Sequence, residues 1–518
     1  MKITGVLSRR ENIDKSISLL VLGAAFIYAF LRAYRIPIGH DEAITFLFAN
    51  DLGWQQIFLY AHDEKANNHL LNTILIKLFL GLFGNKEIVI RLPALLGLLL
   101  YLYSAYRILN LFTKRHVLVV GVSLLALQVY LLDYFSVARG YALSLGFFLL
   151  GFYYVLKTIG MEEDKQQFRY MLLSAILLSF SVLSNLAWLN PFLGILIIPV
   201  LAEIRKGFCY LKQGNSTREI IRRVSRNVIL PLFPPILVLV GLIAYPIYES
   251  VKADSFYYGG EIGFWADTVT SLVEGSLHRG KEVPRDAVLL GKVFVIFVLI
   301  LSISLLFYRY RTERSLGRLD LYQLYTLCAL FLCFISIQCQ HMVLATKYPL
   351  GRTGAYFIPL FLVLFVLLWE QTRSLPKRAG RTPIQWGFYA IAIGTIVYNL
   401  TQFNISYTVW RYDASTKKML HFLAQVLDVS ALKAGSIRMG ITWRLEPSLN
   451  YYIRKNQLTW LHRVDRRGME NRFFHFYYIH LPVDGFLLEK YNLKVIQHYE
   501  LSETCLAVPP QVHFKPSK

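Results

Sequence analysis

About eleven long apolar blocks dominate this chain and decide what it can fold into. They cover residues 17–35, 88–111, 116–133, 139–157, 169–188, 191–203, 227–249, 287–308, 320–340, 355–370 and 386–403. A helix needs roughly 20 apolar residues to cross the hydrocarbon core of a bilayer, and most blocks come close to that length. We therefore expect a mainly α, polytopic membrane helix bundle of about 11 spans, with 191–203 short enough to be re-entrant. Composition agrees: 55% of the 518 residues are hydrophobic and 17% charged. An ordinary soluble chain carries about 25% charge.

Charge orients the bundle. Lys and Arg near helix ends favour the cytoplasm. Arg9, Arg10 and Lys15 precede the first block, and Lys114 and Arg115 follow the second. Further basic clusters span residues 205–226, 309–318 and 373–381. One alternating topology places all of these inside and residues 36–87, 250–286, 341–354 and 404–518 outside. The net charge of +22 is then largely a topology signal, and no nucleic-acid partner is expected. The first block lacks a small-residue cleavage site and reads as an uncleaved helix. The loop style points to a bacterial inner (plasma) membrane. Five cysteines, without zinc spacing, form no disulfide framework.

Three parts follow: a membrane domain over 1–403, its first external loop over 36–87, and a C-terminal domain over 404–518. Within the loop, residues 43–60 and 69–83 have the apolar spacing of two amphipathic helices lying in the interface, or of a re-entrant pair. The C-terminal part alternates strand-like runs (437–443, 457–464, 473–480, 493–500) with helix-like ones (413–428, 446–455, 484–491). It reads as a small extracytoplasmic α/β domain with its own core.

The chemistry-bearing residues gather at external edges. Asp41 and Glu42 follow the first span directly. A carboxylate there can take a proton from an acceptor hydroxyl or amine, and partial desolvation would raise its pKa. Asp41 equally suits a helix N-cap, and the two roles are compatible. His62, Asp63 and Glu64, near Asn68 and His69, offer a divalent-metal set or simply a polar loop. His69 could orient a substrate phosphate or hydroxyl. Arg91, Arg139, Lys347 and Arg352 present cations at three external edges, where snorkelling and phosphate binding are the competing explanations. Tyr348 lies beside them as a substrate-binding candidate. Asp133 either pairs with Arg139 or orients the first carboxylate.

These motifs, in this order, resemble the C superfamily of membrane glycosyltransferases, in its protein O-mannosyltransferase and aminoarabinose transferase branch. The marks are Asp41-Glu42 after the first span, Asn68-His69-Leu70, Arg91-Leu92-Pro93-Ala94, Ala138-Arg139-Gly140-Tyr141-Ala142-Leu143, and the stretch from Arg352 to Pro359. The chain departs from the pattern at Leu70-Leu71, where relatives often carry two prolines, and at Val137, where they often carry an acid. The resemblance implies a polyprenyl-phosphate sugar as donor, transfer at the external face, Asp41 as the catalytic acid/base position, and Arg91 and Arg352 as donor-phosphate contacts. Asp133 would stand in for the missing acid. The acceptor (protein, lipid or glycan) is not specified. A transporter or lipid flippase is the alternative. Charged groups at one face, rather than at the midplane of repeated halves, favour surface chemistry.

Overall fold

The computed structural model describes residues 2–511 except 62–67, 160, 162, 213–215, 255–257, 278–282, 374–380, 407–408, 428–431 and 470–471; side chains are described from residue 12, again except 208–212 and 381–382. Each apolar block is helical. Among the described residues, seven helices are long and apolar enough to cross a membrane: Asn12–Arg35 within α1 (Lys2–Arg35), α5 (Glu87–Phe112), α9 (Asp164–Ser184), Leu186–Gly207, Thr217–Lys252, α14 (Arg285–Glu313) and α15 (Arg318–Leu344). The block at 191–203 is thus part of a 22-residue segment rather than a short one. Two blocks expected to span, α8 (Tyr141–Lys157) and α16 (Phe357–Thr372), are shorter helices of 17 and 16 residues. Both are largely buried by neighbouring helices. The chain is an integral membrane protein.

One expected span is broken. The block at 116–133 is two helices, α6 (Arg115–Ala126) and α7 (Val129–Phe135), bent by 56°. A break at this depth frees backbone groups that water cannot reach, so protein groups must satisfy them. Gln128 caps α7 by accepting from Tyr130 N, and Asn399 Oδ1 accepts from Val129 N at 3.1 Å.

Tight packing of α8 depends on glycine. A Cβ on Gly97 would lie 2.5 Å from the Ala142 carbonyl carbon, and one on Gly146 would lie 2.4 Å from Gly97 O. Small residues let α5 and α8 approach backbone to backbone, as membrane helices often do. At the far ends of the helices, Thr113 after α5 donates to Glu370 of α16, and Gln167 of α9 donates to Glu203 of the following helix at 2.6 Å. These bonds join ends that the alternating topology assigns to the same side.

The first loop, residues 36–87, forms α2 (His40–Asp51), α3 (Trp54–Phe58) and α4 (Leu70–Phe83). At 14 residues, α4 is too short to span. However, α2 does not lie free in an interface. Eight of its twelve residues are buried. They join one core in which Ile38, Ala43 and Phe46 meet Met419, Leu423, Ile441, Leu449 and Tyr451 of the C-terminal part. The tail has a small core of its own, built on Tyr477, Ile479, Leu487, Leu493 and Cys505, and shares its larger one with the first loop of the membrane domain.

The tail is α/β as expected. Its four strands, β1 (Met439–Ile441), β2 (Phe476–His480), β3 (Lys494–Tyr499) and β4 (Thr504–Val508), lie in the order β1-β2-β4-β3, with β1 parallel to β2 and the other pairs antiparallel. Residues 457–464 form no strand. They make one bridge, Leu461 to Ile437. The strand β4 was not anticipated. The helices α18 (Thr416–Val426) and α19 (Glu446–Lys455) match expectation, and α19 packs on α2.

Candidate active site

The acidic pair divides its labour. Adjacent helical residues point about 100° apart, so Asp41 and Glu42 face different partners. Glu42 is fully buried and locked. Its two oxygens accept from Arg91 Nε and Nη2 at 2.7 Å each, from Ala138 N at 2.7 Å and from Gly39 N at 3.0 Å. Arg91 spends its remaining N–H groups on the carbonyls of Ala33, Ile36 and Pro37 at 2.7–3.0 Å. All five donors of Arg91 are thus committed. In this arrangement Arg91 has no N–H left for a lipid phosphate. It ties α5 to the turn between α1 and α2.

Asp41 is buried but not locked. Its Oδ2 lies 3.5 Å from Arg352 Nη2 and 3.8 Å from Arg139 Nη2, and among the described residues no hydrogen-bond donor reaches it. Burial pushes the Asp41 pKa up, but Arg139 and Arg352 outweigh that and hold it below the usual carboxylate value. The expected upward shift is therefore corrected: desolvation is present, and two guanidiniums overcome it.

Arg352 is a cation in an aromatic cage. Its guanidinium sits 4.9 Å from the Tyr258 ring centroid, 5.5 Å from Trp410 and 5.8 Å from Tyr141. Its Nε is buried with no acceptor among the described residues. Rings hold the cation by their faces and leave its edge for an anion. Tyr258 is placed by a bridge in which Gly260 and Tyr348 exchange backbone hydrogen bonds at 2.9 Å. Arg139 donates to Thr45 Oγ1 at 2.9 Å, and Thr45 in turn donates to the Asp41 carbonyl. The turn that carries Arg139 needs Gly140, where a Cβ would lie 1.9 Å from Ser184 O.

His69 faces the same group of residues. Its ring meets Tyr141 edge-on at 5.2 Å. Burial, then Arg139 and Arg352, keep its pKa well below 6.5, so it is neutral near pH 7.

The other expected site residues lie elsewhere. Asp133 pairs with Arg32, which also donates to Asn404 Oδ1 at 3.2 Å. This pair closes the end of α1 against the start of the tail, a partner for Asp133 that the sequence did not suggest. Lys347 pairs with Glu261 at 2.7 Å on an exposed surface, and the Tyr348 hydroxyl donates to Gln338 at 3.1 Å. His62, Asp63 and Glu64 lie outside the described residues. Among the described residues no group of three His, Cys, Asp or Glu side chains could hold a metal ion. A cleft of about 880 Å³ opens between Arg35, Pro37 and α18, and neither Asp41 nor Arg352 lines it.

Sequence reasoning missed Tyr258, Trp410 and Asp413. Tyr258 and Trp410 are single aromatics far from Arg352 along the chain, and nothing in their local pattern marks them. Asp413 is simply the first residue of the helix-like stretch 413–428, and nothing in its local pattern marks it.

No family model matches the chain, and no curated protein matches it significantly. Among solved structures, the chain is similar to ArnT from Cupriavidus metallidurans in the apo state, at 12% identity and a TM-score of 0.52, over 94% of this chain and 97% of that one. It is also similar to the same protein bound to undecaprenyl phosphate, at 13% identity and a TM-score of 0.49, over 96% and 99%. The oligosaccharyltransferase of Archaeoglobus fulgidus in complex with Zn and sulfate matches at 15% identity and a TM-score of 0.44, over 85% of this chain and 62% of that one. The fold is that of the GT-C membrane glycosyltransferases. At these identities the likeness concerns fold alone.

Proposed function

We propose that the chain is a glycosyltransferase that moves a monosaccharide from a polyprenyl-phosphate donor to an acceptor, with inversion, at the extracytoplasmic face of a bacterial inner membrane. One observation carries the reading: the Asp41 carboxylate has no hydrogen-bond donor among the described residues and lies 3.5 Å from Arg352, whose edge is open within an aromatic cage. A base and an anion-binding group side by side, where apolar helices end, suit a donor whose phosphate stays at the interface while its tail lies in lipid. The GT-C fold and the order of the sequence motifs support the same reading.

The chemistry has a balanced form. Arg352, with Arg139 nearby, takes the donor phosphate and neutralises it as it leaves. The bond from the anomeric carbon to the phosphate oxygen breaks, and a bond to the acceptor oxygen or nitrogen forms from the opposite face. The acceptor's proton passes to Asp41, and the transition state is oxocarbenium-like. Phosphate bound at Arg352 cancels part of the field that holds the Asp41 pKa down. The carboxylate thus becomes a stronger base when donor is present. Arg91 positions Glu42 instead of touching the donor, and neutral His69 and Tyr141 lie beside the two arginines. A divalent metal would need the segment around His62.

Mass spectrometry of lipid-linked sugars in cells lacking the protein tests this directly. One polyprenyl-phosphate sugar should accumulate, and the purified protein in vesicles should consume it in exchange for a glycosylated acceptor. Movement of the lipid across the bilayer without sugar transfer would support the flippase reading instead.

A further inference from the structure

We infer that Asp413 of the C-terminal domain is a positioning residue for Asp41, clamping the start of the helix that carries it. This rests on the role assigned to Asp41 above. The first N–H groups of a helix have no partner within the helix, and a side chain just before the helix usually supplies one. Here that position is Gly39, which has no side chain. Glu42 covers Gly39 N from within the loop. The next donor, His40 N, is taken by Asp413 Oδ2 at 2.7 Å, across 373 residues of sequence.

The contact is one of several. Ser448 Oγ hydrogen-bonds the other Asp413 oxygen and donates to Leu445 O at 3.0 Å, which fixes the acid's orientation. His40 Nδ1 meets Arg444 O at 2.6 Å, and Tyr452 OH accepts from Ile38 N at 3.0 Å. Three residues of one domain, Asp413, Arg444 and Tyr452, thus bond to Ile38 and His40 just before Asp41, and Ser448 holds Asp413. From α2 outward, the same domain reaches the other half of the site, because Trp410 covers Arg352. Burial, with Asp41 and Glu42 nearby, holds Asp413 well above the usual carboxylate range. A neutral acid can sit beside two carboxylates without repelling them, and its carbonyl oxygen still accepts from His40 N.

The test uses the full-length protein in vesicles, with Asp413→Ala, Asp413→Asn and Ser448→Ala. A displacement of about 1 Å at a reacting group costs on the order of 100-fold in rate. Asp413→Ala should therefore lower kcat roughly 10- to 100-fold, with donor KM changed less than about threefold. Hydrogen exchange at residues 40–43 should quicken in the same variant, because the capped N–H groups lose their partner. Asparagine keeps an acceptor oxygen and should restore both measures, and Ser448→Ala should fall between. Wild-type kcat in Asp413→Ala, or an asparagine variant as impaired as alanine, would overturn the proposal. Should Asp413→Ala not accumulate, the asparagine and Ser448→Ala variants decide by the same two measures. Absence of any sugar transfer by the unmodified protein would count against the functional reading, and the exchange data would then decide the clamp on their own.

Discussion

Two neighbouring carboxylates meet opposite fates, and the difference is what makes one of them useful. Glu42 is saturated by Arg91 and two backbone N–H groups, whereas Asp41 keeps an oxygen that no described donor reaches. Asp41→Asn should abolish transfer, by about 100-fold or more, while detergent-extracted protein keeps its yield and melting temperature. Glu42→Gln should do the reverse first: breaking a fully buried pair costs roughly 3–5 kcal/mol, visible as a lower melting temperature. Arg352→Lys should raise donor KM by about tenfold or more, since an ammonium keeps the charge but not the planar stack on three rings. The pH response has a defined sign. A depressed Asp41 pKa keeps the carboxylate ionised as pH falls below neutral, so the free enzyme should show no activity loss from Asp41 between pH 7 and about 5. His69 also has a depressed folded pKa, so the unfolded chain binds the extra proton first. Stability should decline as pH falls below 6.5, and His69→Leu should flatten that slope in a thermal-melt series.

At the scale of elements, the apolar blocks were legible because bilayer thickness sets helix length. The break between α6 and α7 was not, since one of the two side chains that satisfy its freed N–H groups, Asn399, lies 270 residues away from Val129. Gln128→Leu should strand a backbone N–H in an apolar surround and cost about 1–3 kcal/mol, read as a drop in melting temperature with site residues untouched. The helix α2 teaches the same lesson. Its apolar spacing fits an interface, yet Ile38, Ala43 and Phe46 are covered by Met419, Leu423 and Tyr451 rather than by lipid. Periodicity reveals that a face is apolar and is silent on what covers it. Strand β4 escaped notice because Thr504–Val508 follows β3 after a short 3₁₀ turn and is almost wholly apolar, so it lacks the alternation of a half-buried strand.

For the whole molecule, the shared core and the Asp413 contact join the C-terminal domain to the membrane domain rather than leaving it an appended module. A chain ending near residue 404 should lose transfer and also accumulate poorly, because it exposes the apolar face of α2. Fluorescence-detected gel filtration would check the second point, and an active, monodisperse truncation would refute it. The sequence alone determined the membrane class, the helical segments, the α/β character of the tail and Asp41 with Arg352 as candidates. Hydrophobic length and charge bias act locally along the chain, so a single sequence displays them. Tertiary structure decided which of the cations remain available to a ligand. Arg91 and Arg352 look alike in sequence, but guanidinium donors are used up by whatever acceptors the fold brings within about 3 Å. Carbonyls from the α1–α2 turn consume those of Arg91, whereas rings from three distant segments surround Arg352 and take none.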